Sequence, residues 1–372
     1  MITINEYIKG ADISTLIEQE KNGARYFDHN EQKDLIEILR SYGFNWVRIR
    51  LWNDPFSKSG EPYGAGTNDL ETFIRIAKRA KSAGLKVLLC MHYSDFWADP
   101  GKQTMPKAWE GLDVPSVADK VYDFTYDSLC RMRDEGVYPD MIAVGNEVTN
   151  GLLWPYGRKP EFDNIALFIS SGIRACRKAD PSVPLMIHLD NGGNNPMYVE
   201  WFDNYFKRGE DFDVIGLSYY PFWHGTMDQL EFNMRDMERR YGKQTVVAEV
   251  STGFTMEDYG SYEKLEPSER KGYATSQALV EKVEYPMTVE GQCEFMERFM
   301  RISSDSPLNK GFFYWEPGWI PVPNVGWAND AALQYTGEKG PGGNEWANQA
   351  LFDYDGNALP ALKVISDFKK SV

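Results

Sequence analysis

Two glutamates stand at the ends of short apolar runs that have the character of β-strands. The run MIAVGNE (141–147) ends in Asn146 and Glu147, and the run TVVAEV (245–250) carries Glu249 after three apolar residues. A carboxylate in such a run is costly to bury unless it points into a polar site. Two carboxylates about 5 to 5.5 Å apart cleave a glycosidic bond with retention of configuration, one as acid/base and the other as nucleophile. The alternative is that either glutamate is a strand-end charge that faces solvent.

A third strand-like run supplies cations. In WVRIRLW (46–52) the alternation of a strand places Arg48, Arg50 and Trp52 on one face and the aliphatic residues on the other. A cation that points inward needs an anion nearby, and Arg48 beside Glu249 would hold that carboxylate ionised. Arg50 has a structural ion pair as its expected role. The alternative for Arg48 is also a buried ion pair without a catalytic role.

Further polar and aromatic residues follow other strand-like runs. Met91-His92-Tyr93, Tyr219-Tyr220 and Tyr314-Trp315-Glu316 each stand at the end of such a run, and aromatic residues crowd the loops 95–97, 153–156 and 221–223. Exposed rings at the mouth of a cleft suit the faces of sugars, although aromatic residues also fill cores. We expect these groups to form the walls of one pocket.

The elements that must position these residues alternate along the chain. Eight β-rich runs are predicted at 7–12, 45–51, 85–91, 140–146, 184–190, 213–219, 245–250 and 311–316. Between most of them lie segments of helical periodicity, such as 31–41 and 70–83. This alternation predicts a parallel sheet closed into a single (β/α)8 barrel that occupies residues 1–372, with long loops after the seventh and eighth strands on the catalytic face. A doubly wound sheet is the alternative, but its only candidate for a phosphate loop is Gly64-Ala65-Gly66 in a turn-rich segment.

Composition excludes several classes of function. The 372-residue chain has 40 Lys and Arg against 55 Asp and Glu, a net charge of −15, which disfavours nucleic acid as a partner. No apolar run is long enough to cross a membrane. The four cysteines are far apart and are expected to be free thiols. We expect a monomer, cytoplasmic as the sequence stands because no signal peptide is evident, or extracellular if one has been removed.

Seven stretches together resemble one known family. They are GADIS (10–14), VRIRLWNDP (47–55), HYSDFWADPGKQ (92–103), VGNEVTNG (144–151), IGLSYYPFWHG (215–225), VVAEV (246–250) and FYWEPGWIP (313–321). They look like glycoside hydrolase family 53, which comprises endo-β-1,4-galactanases, and the likeness runs from about Ile8 to Leu362. The resemblance implies hydrolysis of β-1,4-galactan, of type I arabinogalactan or of galacto-oligosaccharides derived from them.

The resemblance also implies roles for single residues. Glu147 would be the general acid/base, Glu249 the nucleophile, Asn146 a ligand of the sugar 2-hydroxyl, and Arg48 the partner of the nucleophile. Further substrate-binding positions are His92, Asp95, Trp97, Tyr220 and Trp315, with Trp315 as the floor under the reacting sugar and Tyr220, in preference to Tyr219, hydrogen-bonded to the nucleophile. This mechanism requires a raised pKa for Glu147 and, through its cationic and hydrogen-bonding neighbours, a lowered pKa for Glu249.

The chain departs from part of that family in the segment 252–275. Some bacterial members bind calcium there through an Asp-rich loop, whereas this segment has only Glu257 and Asp258 as adjacent acids near its start. Calcium takes six to eight oxygen ligands, so we expect no cofactor and no dependence on calcium.

Three other functions remain open from the sequence. A related barrel hydrolase could act on another β-1,4 glycan, such as mannan or xylan, because two glutamates and a tryptophan do not specify the sugar. A metal-dependent barrel hydrolase is suggested by His92, His188 and His224 near strand ends, but the first strand lacks an HxH motif. A sugar-binding barrel without activity would need neither an acid nor a nucleophile.

Overall fold

The computed structural model describes residues 2–259, 277–339 and 342–369, and it forms a closed barrel of eight parallel strands. We number these strands β1 to β8 in chain order: Ile8–Asp12, Trp46–Leu51, Lys86–Met91, Met141–Val144, Leu185–Leu189, Val214–Tyr219, Gln244–Val250 and Asn309–Tyr314. Each strand pairs with its neighbours in sequence, and β1 pairs with both β2 and β8, which closes the ring.

Helices lie between successive strands, as a (β/α)8 barrel requires. The barrel helices are Leu35–Ser41, Leu70–Ser82, Val114–Asp134, Phe162–Ala179, Asn195–Tyr205, Met227–Tyr241, Val289–Ile302 and Ala361–Asp367. Shorter helices span Leu16–Lys21, Gln277–Val280 and Asp330–Thr336, and two small hairpins pair Tyr26–Asp28 with Glu31–Lys33 and Gly151–Leu152 with Gly157–Arg158.

The alternation of side chains along the strands builds two cores. On β2, Val47, Ile49 and Leu51 belong to the large core between the strands and the helices, while Trp46 belongs to a smaller core inside the barrel. The inner core is closed by apolar side chains from the other strands and from the N-terminal segment: Ile4, Ile8, Leu88, Cys90, Met141, Ala143, Met186, Val214, Val246, Ala248 and Phe313. This core fills the interior of the barrel below the end where the strands terminate, and the polar residues that could do chemistry lie at that end.

The structure confirms the predicted barrel and all eight strands, and it rejects the doubly wound alternative because the sheet is closed. One predicted helix was too long. The segment 31–41 becomes helical only at Leu35, because Asp34 caps the helix by accepting hydrogen bonds from the backbone N–H groups of Ile36 and Glu37, while Glu31–Lys33 forms a hairpin strand.

Other predictions have separate outcomes. The four cysteines are free thiols. Among the described residues, no helix combines the length and apolarity needed to cross a membrane. Most of the segment 252–275, for which we predicted no calcium site, lies outside the described residues, which stop at 259 and resume at 277. The division into one domain and the monomeric state stay predictions.

The seam between the first and last strands gives a test of the barrel. Gly311 on β8 has a φ of +108°, and a Cβ atom there would lie 2.0 Å from the carbonyl oxygen of Ile8 on β1. Gly311→Ala should therefore lower the free energy of unfolding by more than about 1 kcal/mol, since both the backbone conformation and the packing resist a side chain. Urea unfolding would measure this change. Gly242→Ala is the control, because Gly242 also has a positive φ but nothing within 4 Å of its Cβ position. Equal losses in both variants would contradict a tight seam.

Candidate active site

The two predicted glutamates converge at the C-terminal end of the barrel. Glu147 follows β4 and adopts a left-handed conformation with a φ of 47°, while Glu249 lies within β7. Both side chains are buried, and one carboxylate oxygen of each, together with a ring nitrogen of His188, lie within 4.8 Å of one another. This short separation is that of a nucleophile and an acid/base, because inverting pairs stand about 6.5 to 9.5 Å apart.

Glu249 is held by both partners that the sequence predicted. Its Oε1 accepts a hydrogen bond from Arg48 Nη2 at 2.7 Å, and its Oε2 accepts one from the Tyr220 hydroxyl at 2.7 Å. Tyr219, the less favoured candidate, donates instead to the carbonyl oxygen of Gly225. Arg48 is itself fixed by Asp12 at 2.5 Å. The carboxylate of Glu249 is therefore oriented by two donors, with little freedom to turn.

The pKa values of the two glutamates follow from their surroundings. Burial raises the pKa of Glu249 above its ordinary value, while Arg48 and the Tyr220 hydroxyl act in the opposite direction. The predicted lowering was wrong, because the loss of hydration on complete burial outweighs these two partners. Burial, then the charge of Glu249 and then that of Asp190, raise the pKa of Glu147 well above its ordinary value. Glu147 therefore keeps its proton to a higher pH than Glu249, as an acid beside a nucleophile must.

Asn146 precedes the acid and is fixed at both ends of its amide. Its Nδ2 donates to the carbonyl oxygen of Ala98 at 2.9 Å, and its Oδ1 accepts from Arg48 Nη2 at 2.6 Å. If the amide were turned over, Oδ1 would face the carbonyl oxygen of Ala98 and Nδ2 would face Arg48 Nη2, so neither contact could be a hydrogen bond. Its role toward the sugar 2-hydroxyl stays a prediction.

His92 lines the cleft, and one of its ring nitrogens is engaged by the protein. Its Nδ1 accepts hydrogen bonds from Trp52 Nε1 at 3.1 Å and from the backbone N–H of Ala98 at 3.2 Å. Burial, followed by the charges of Arg48 and Arg50, holds the pKa of His92 well below its ordinary value, so the ring is neutral. The proton of a neutral ring must then reside on Nε2, which is buried and has no hydrogen-bond partner among the described residues, and the side chain lines the cleft. The substrate-binding role of His92 stays a prediction.

The glutamates open into a cleft of about 450 Å³ with aromatic walls. Trp97, Tyr220 and Trp315 line it as predicted, together with Trp346, whose ring centroid lies 4.6 Å from that of Trp315. The guanidinium of Arg50 lies 4.5 Å from the ring centroid of Trp97, which adds a cation–π contact beneath the wall. Such a surface suits the apolar faces of pyranose rings.

The structure does not bring Asp95 into this cleft. Its side chain is completely buried: Oδ1 accepts from the backbone N–H of Asp54 at 3.0 Å, and Oδ2 accepts from the backbone N–H of Lys107 at 2.8 Å. Asp95 therefore joins two loops rather than facing the substrate. The sequence predicted a substrate-binding role for Asp95, because an aspartate that connects two loops and an aspartate that binds a ligand cannot be distinguished from sequence.

Two polar residues of the site were missed. Asp190 directly follows β5 and lines the cleft, and Oγ of Ser218 on β6 lies within hydrogen-bond distance of Oε1 of Glu147, at 2.5 Å. Asp190 stands at a strand end just as Glu147 does, so the same rule could have found it. Ser218 could not have been found by this rule, because serine is common in the β-strands of proteins with unrelated functions.

One alternative from the sequence required a metal centre. His188, Glu147 and Glu249 are close enough to hold an ion, but the two ring nitrogens of His188 contact Asn146 Oδ1 at 3.1 Å and Ser218 Oγ at 2.8 Å. These contacts favour a polar network over an ion at His188, and the absence of a metal stays a prediction.

Comparison with known proteins decides the family. The family model "Glycosyl hydrolase family 53" matches residues 8–365. The protein belongs to this family. An endo-β-1,4-galactanase of Bacillus subtilis is 36% identical over 96% of this chain and 85% of its own length, and an arabinogalactan endo-β-1,4-galactanase of Humicola insolens is 33% identical over 96% and 98%. The solved family 53 catalytic domain of Ignisphaera aggregans has 36% identity and a TM-score of 0.88, and the alignment covers 98% of each chain.

More distant solved structures share only the fold with this family 53 protein. An exo-β-1,4-mannosidase of an Opitutaceae bacterium has 14% identity and a TM-score of 0.57, and a psychrophilic endo-β-1,4-xylanase has 15% identity and a TM-score of 0.58. These likenesses reflect the common (β/α)8 barrel and carry no information about the sugar.

The electrostatics of this family 53 site predict a pH effect of Asp190. Burial raises the pKa of Asp190 to about 6, so above that pH its negative charge helps to keep Glu147 protonated. Asp190→Asn should therefore lower the pKa of Glu147 and move the alkaline limb of the kcat/KM profile to lower pH. The exposed Asp119→Asn is the matched control, and its profile should stay in place. An unchanged or upward-shifted limb in Asp190→Asn would contradict the coupling.

Proposed function

We propose that this protein is a retaining endo-hydrolase of β-1,4-galactosidic linkages in galactan, in type I arabinogalactan or in galacto-oligosaccharides derived from them. The observation that carries the proposal is the pair of buried glutamates, with oxygens within 4.8 Å, at the base of an aromatic cleft in a family 53 chain. Named galactanases at 33% and 36% identity over 96% of the chain support galactan over mannan or xylan.

The first half of the reaction forms a covalent intermediate. Glu249, oriented by Arg48 and Tyr220, attacks the anomeric carbon of the sugar that lies on Trp315. Glu147 gives its proton to the glycosidic oxygen as the bond to the leaving chain breaks. The raised pKa of Glu147 supports this step because the group is still protonated when the substrate binds.

The second half releases the sugar. Glu147, now a carboxylate, takes a proton from a water molecule whose oxygen attacks the anomeric carbon and displaces Glu249. The product has the original β configuration because two inversions have occurred at the same carbon. No step requires a cofactor, and the proposal includes none.

Substrate and stereochemistry can be tested together. Among galactan, mannan and xylan, we expect fast release of reducing ends from β-1,4-galactan only, with internal cleavage visible as a rapid fall in viscosity. Proton NMR early in the reaction should show the β anomer first, because a closely spaced carboxyl pair acts by double displacement. First-formed α anomer would refute the mechanism, and preferential hydrolysis of mannan or xylan would refute the substrate.

The roles of the two glutamates can be separated by substitution. Glu147→Ala and Glu249→Ala should each reduce galactan hydrolysis about a thousandfold or more while the fold stays intact by circular dichroism. Azide should rescue Glu249→Ala, giving the α-galactosyl azide, because it replaces the nucleophile while Glu147 still protonates the leaving oxygen. In Glu147→Ala, azide should give the β-galactosyl azide by attacking the intermediate, but only from an aryl β-galactoside whose leaving group needs no proton. Exposed Glu200→Ala serves as the control. Near-normal activity in either site variant, or the opposite anomers of the azides, would overturn the assignment.

A further inference from the structure

The acid/base Glu147 is the last of four buried polar side chains that form a hydrogen-bonded chain. Oδ1 of Asn146 contacts Nδ1 of His188 at 3.1 Å, and Nε2 of His188 contacts Oγ of Ser218 at 2.8 Å. Oγ of Ser218 in turn lies 2.5 Å from Oε1 of Glu147. These four residues come from the ends of β4, β5 and β6, and all are more than nine-tenths buried. Each contact needs one hydrogen, so the positions of the hydrogens can be worked out from one end.

The hydrogen-bonded chain begins at Oδ1 of Asn146, an atom that can only accept hydrogen bonds. The contacts with Arg48 and with the carbonyl oxygen of Ala98 fix which end of the Asn146 amide is the oxygen. Since Oδ1 has no hydrogen, the contact with His188 requires a hydrogen on Nδ1 of that ring. The tautomer of His188 is therefore set by an amide that two other groups hold in place.

The next hydrogen belongs to Ser218. Burial, followed by the positive charge of Arg48, holds the pKa of His188 well below its ordinary range, so the ring is neutral and its Nε2 is an acceptor. The hydroxyl of Ser218 must then donate to Nε2. A hydroxyl has one hydrogen, so nothing remains on Ser218 for its contact with Glu147. That contact is satisfied when Glu147 itself carries the proton and donates it to Oγ.

We propose that His188 and Ser218 are positioning residues that hold the acid proton on Glu147 by turning the Ser218 hydroxyl away from it. This inference rests on the proposed role of Glu147 as general acid. It assigns a task to two buried residues that do not themselves line the cleft. The same serine hydroxyl, if it merely donated to Glu147, would instead stabilise the carboxylate and work against the first step.

The hydroxyl of Ser218 changes partner during the reaction. In the first step the protonated carboxyl turns about its terminal bond, which has a soft two-fold torsion, and the proton passes to the glycosidic oxygen as the bond to the leaving chain breaks. The resulting carboxylate accepts the Ser218 hydrogen, which leaves His188 Nε2 without a donor for the lifetime of the intermediate. In the second step water gives its proton to Glu147 and its oxygen to the anomeric carbon. Ser218 then returns to His188, and the proton count is restored.

Other charged groups also act on Glu147, and they surround it from several elements. They are Glu249 on β7, Asp190 after β5 and Asp99 after β3, which raise its pKa. Arg48 and His224 face His188 and lower the pKa of that ring. None of the three acidic groups is hydrogen-bonded to Ser218, so the contribution of the hydrogen-bonded chain can be separated from theirs by substitution at His188 and Ser218.

The tautomer of His188 can be measured without substrate. The protein has four histidines, so the ring nitrogens can be assigned in protein labelled with nitrogen-15 at histidine. We expect the Nδ1 of His188 to carry hydrogen and Nε2 to carry none across the neutral range. A hydrogen on Nε2, whether in the other tautomer or in a charged ring, would overturn the proposal. Because this measurement does not involve hydrolysis, its failure is distinct from failure of the proposed galactanase activity.

Substitutions test the effect on the acid. Ser218→Ala removes the acceptor of the Glu147 proton, and His188→Asn keeps a donor toward Asn146 but no acceptor near Ser218. Both should move the alkaline limb of the kcat/KM profile to lower pH by about one unit, the shift expected from the loss of one hydrogen bond. His188→Gln should restore the wild-type limb, because its amide oxygen can take the place of Nε2.

A matched control separates this effect from a general loss of packing. Ser251→Ala removes another buried hydroxyl at a strand end, one that donates to Gln349 at 2.7 Å, and should lower stability without moving the limb. An unchanged or upward-shifted limb in Ser218→Ala and His188→Asn would overturn the proposal. If a variant fails to fold, the nitrogen spectrum of the wild-type protein still decides the question.

Discussion

The site is organised around one buried guanidinium. Arg48 is 1% exposed and donates to Asp12, Asn146 and Glu249, which belong to β1, to the end of β4 and to β7. A buried cation is costly unless it is paired and fully hydrogen-bonded, so the strands that carry these partners must keep their register around it. In return Arg48 fixes the nucleophile, the amide that precedes the acid, and through that amide the tautomer of His188. Loss of this one side chain would leave several buried acceptors without their donor.

A second guanidinium supports the wall of the cleft. Arg50 lies one pleat beyond Arg48 on β2 and pairs with Glu316 at 2.8 Å and with Asp12 at 3.4 Å. Glu316 directly follows Trp315 and has a left-handed backbone with a φ of 47°, while its carboxylate also accepts from the Thr15 hydroxyl at 2.6 Å. The strained backbone of the residue that follows Trp315 is thus held by its contacts with Arg50 and Thr15.

These two arginines also set the charge of the interior. The carboxyls of Asp12, Glu249 and Glu316 already face them, and Arg50 and Arg48 hold the pKa of Asp12 below its ordinary value even though burial acts in the other direction. No ion pair among the described residues includes Glu147. Burial and the nearby charge of Glu249 raise the pKa of Glu147 well above its ordinary value, and the chemical difference between the two glutamates comes from which of them reaches a guanidinium.

The sequence by itself determined the barrel, the positions of its eight strands and the two glutamates, because alternation along each strand and the order of strands and helices are local properties of the chain. It also placed Arg48 beside Glu249, since an inward-pointing cation needs an anion, and the resemblance to family 53 assigned Tyr220 to the same carboxylate. Tertiary structure alone decided that Asp95 braces two loops, that Trp346 stacks against Trp315, and that Ser218 and His188 stand behind Glu147. It also decided the pKa of Glu249, which burial raises although its partners act to lower it. These features depend on which side chains come into contact across the barrel and on how completely the surrounding protein excludes water. The spacing of residues along one strand does not specify either of these.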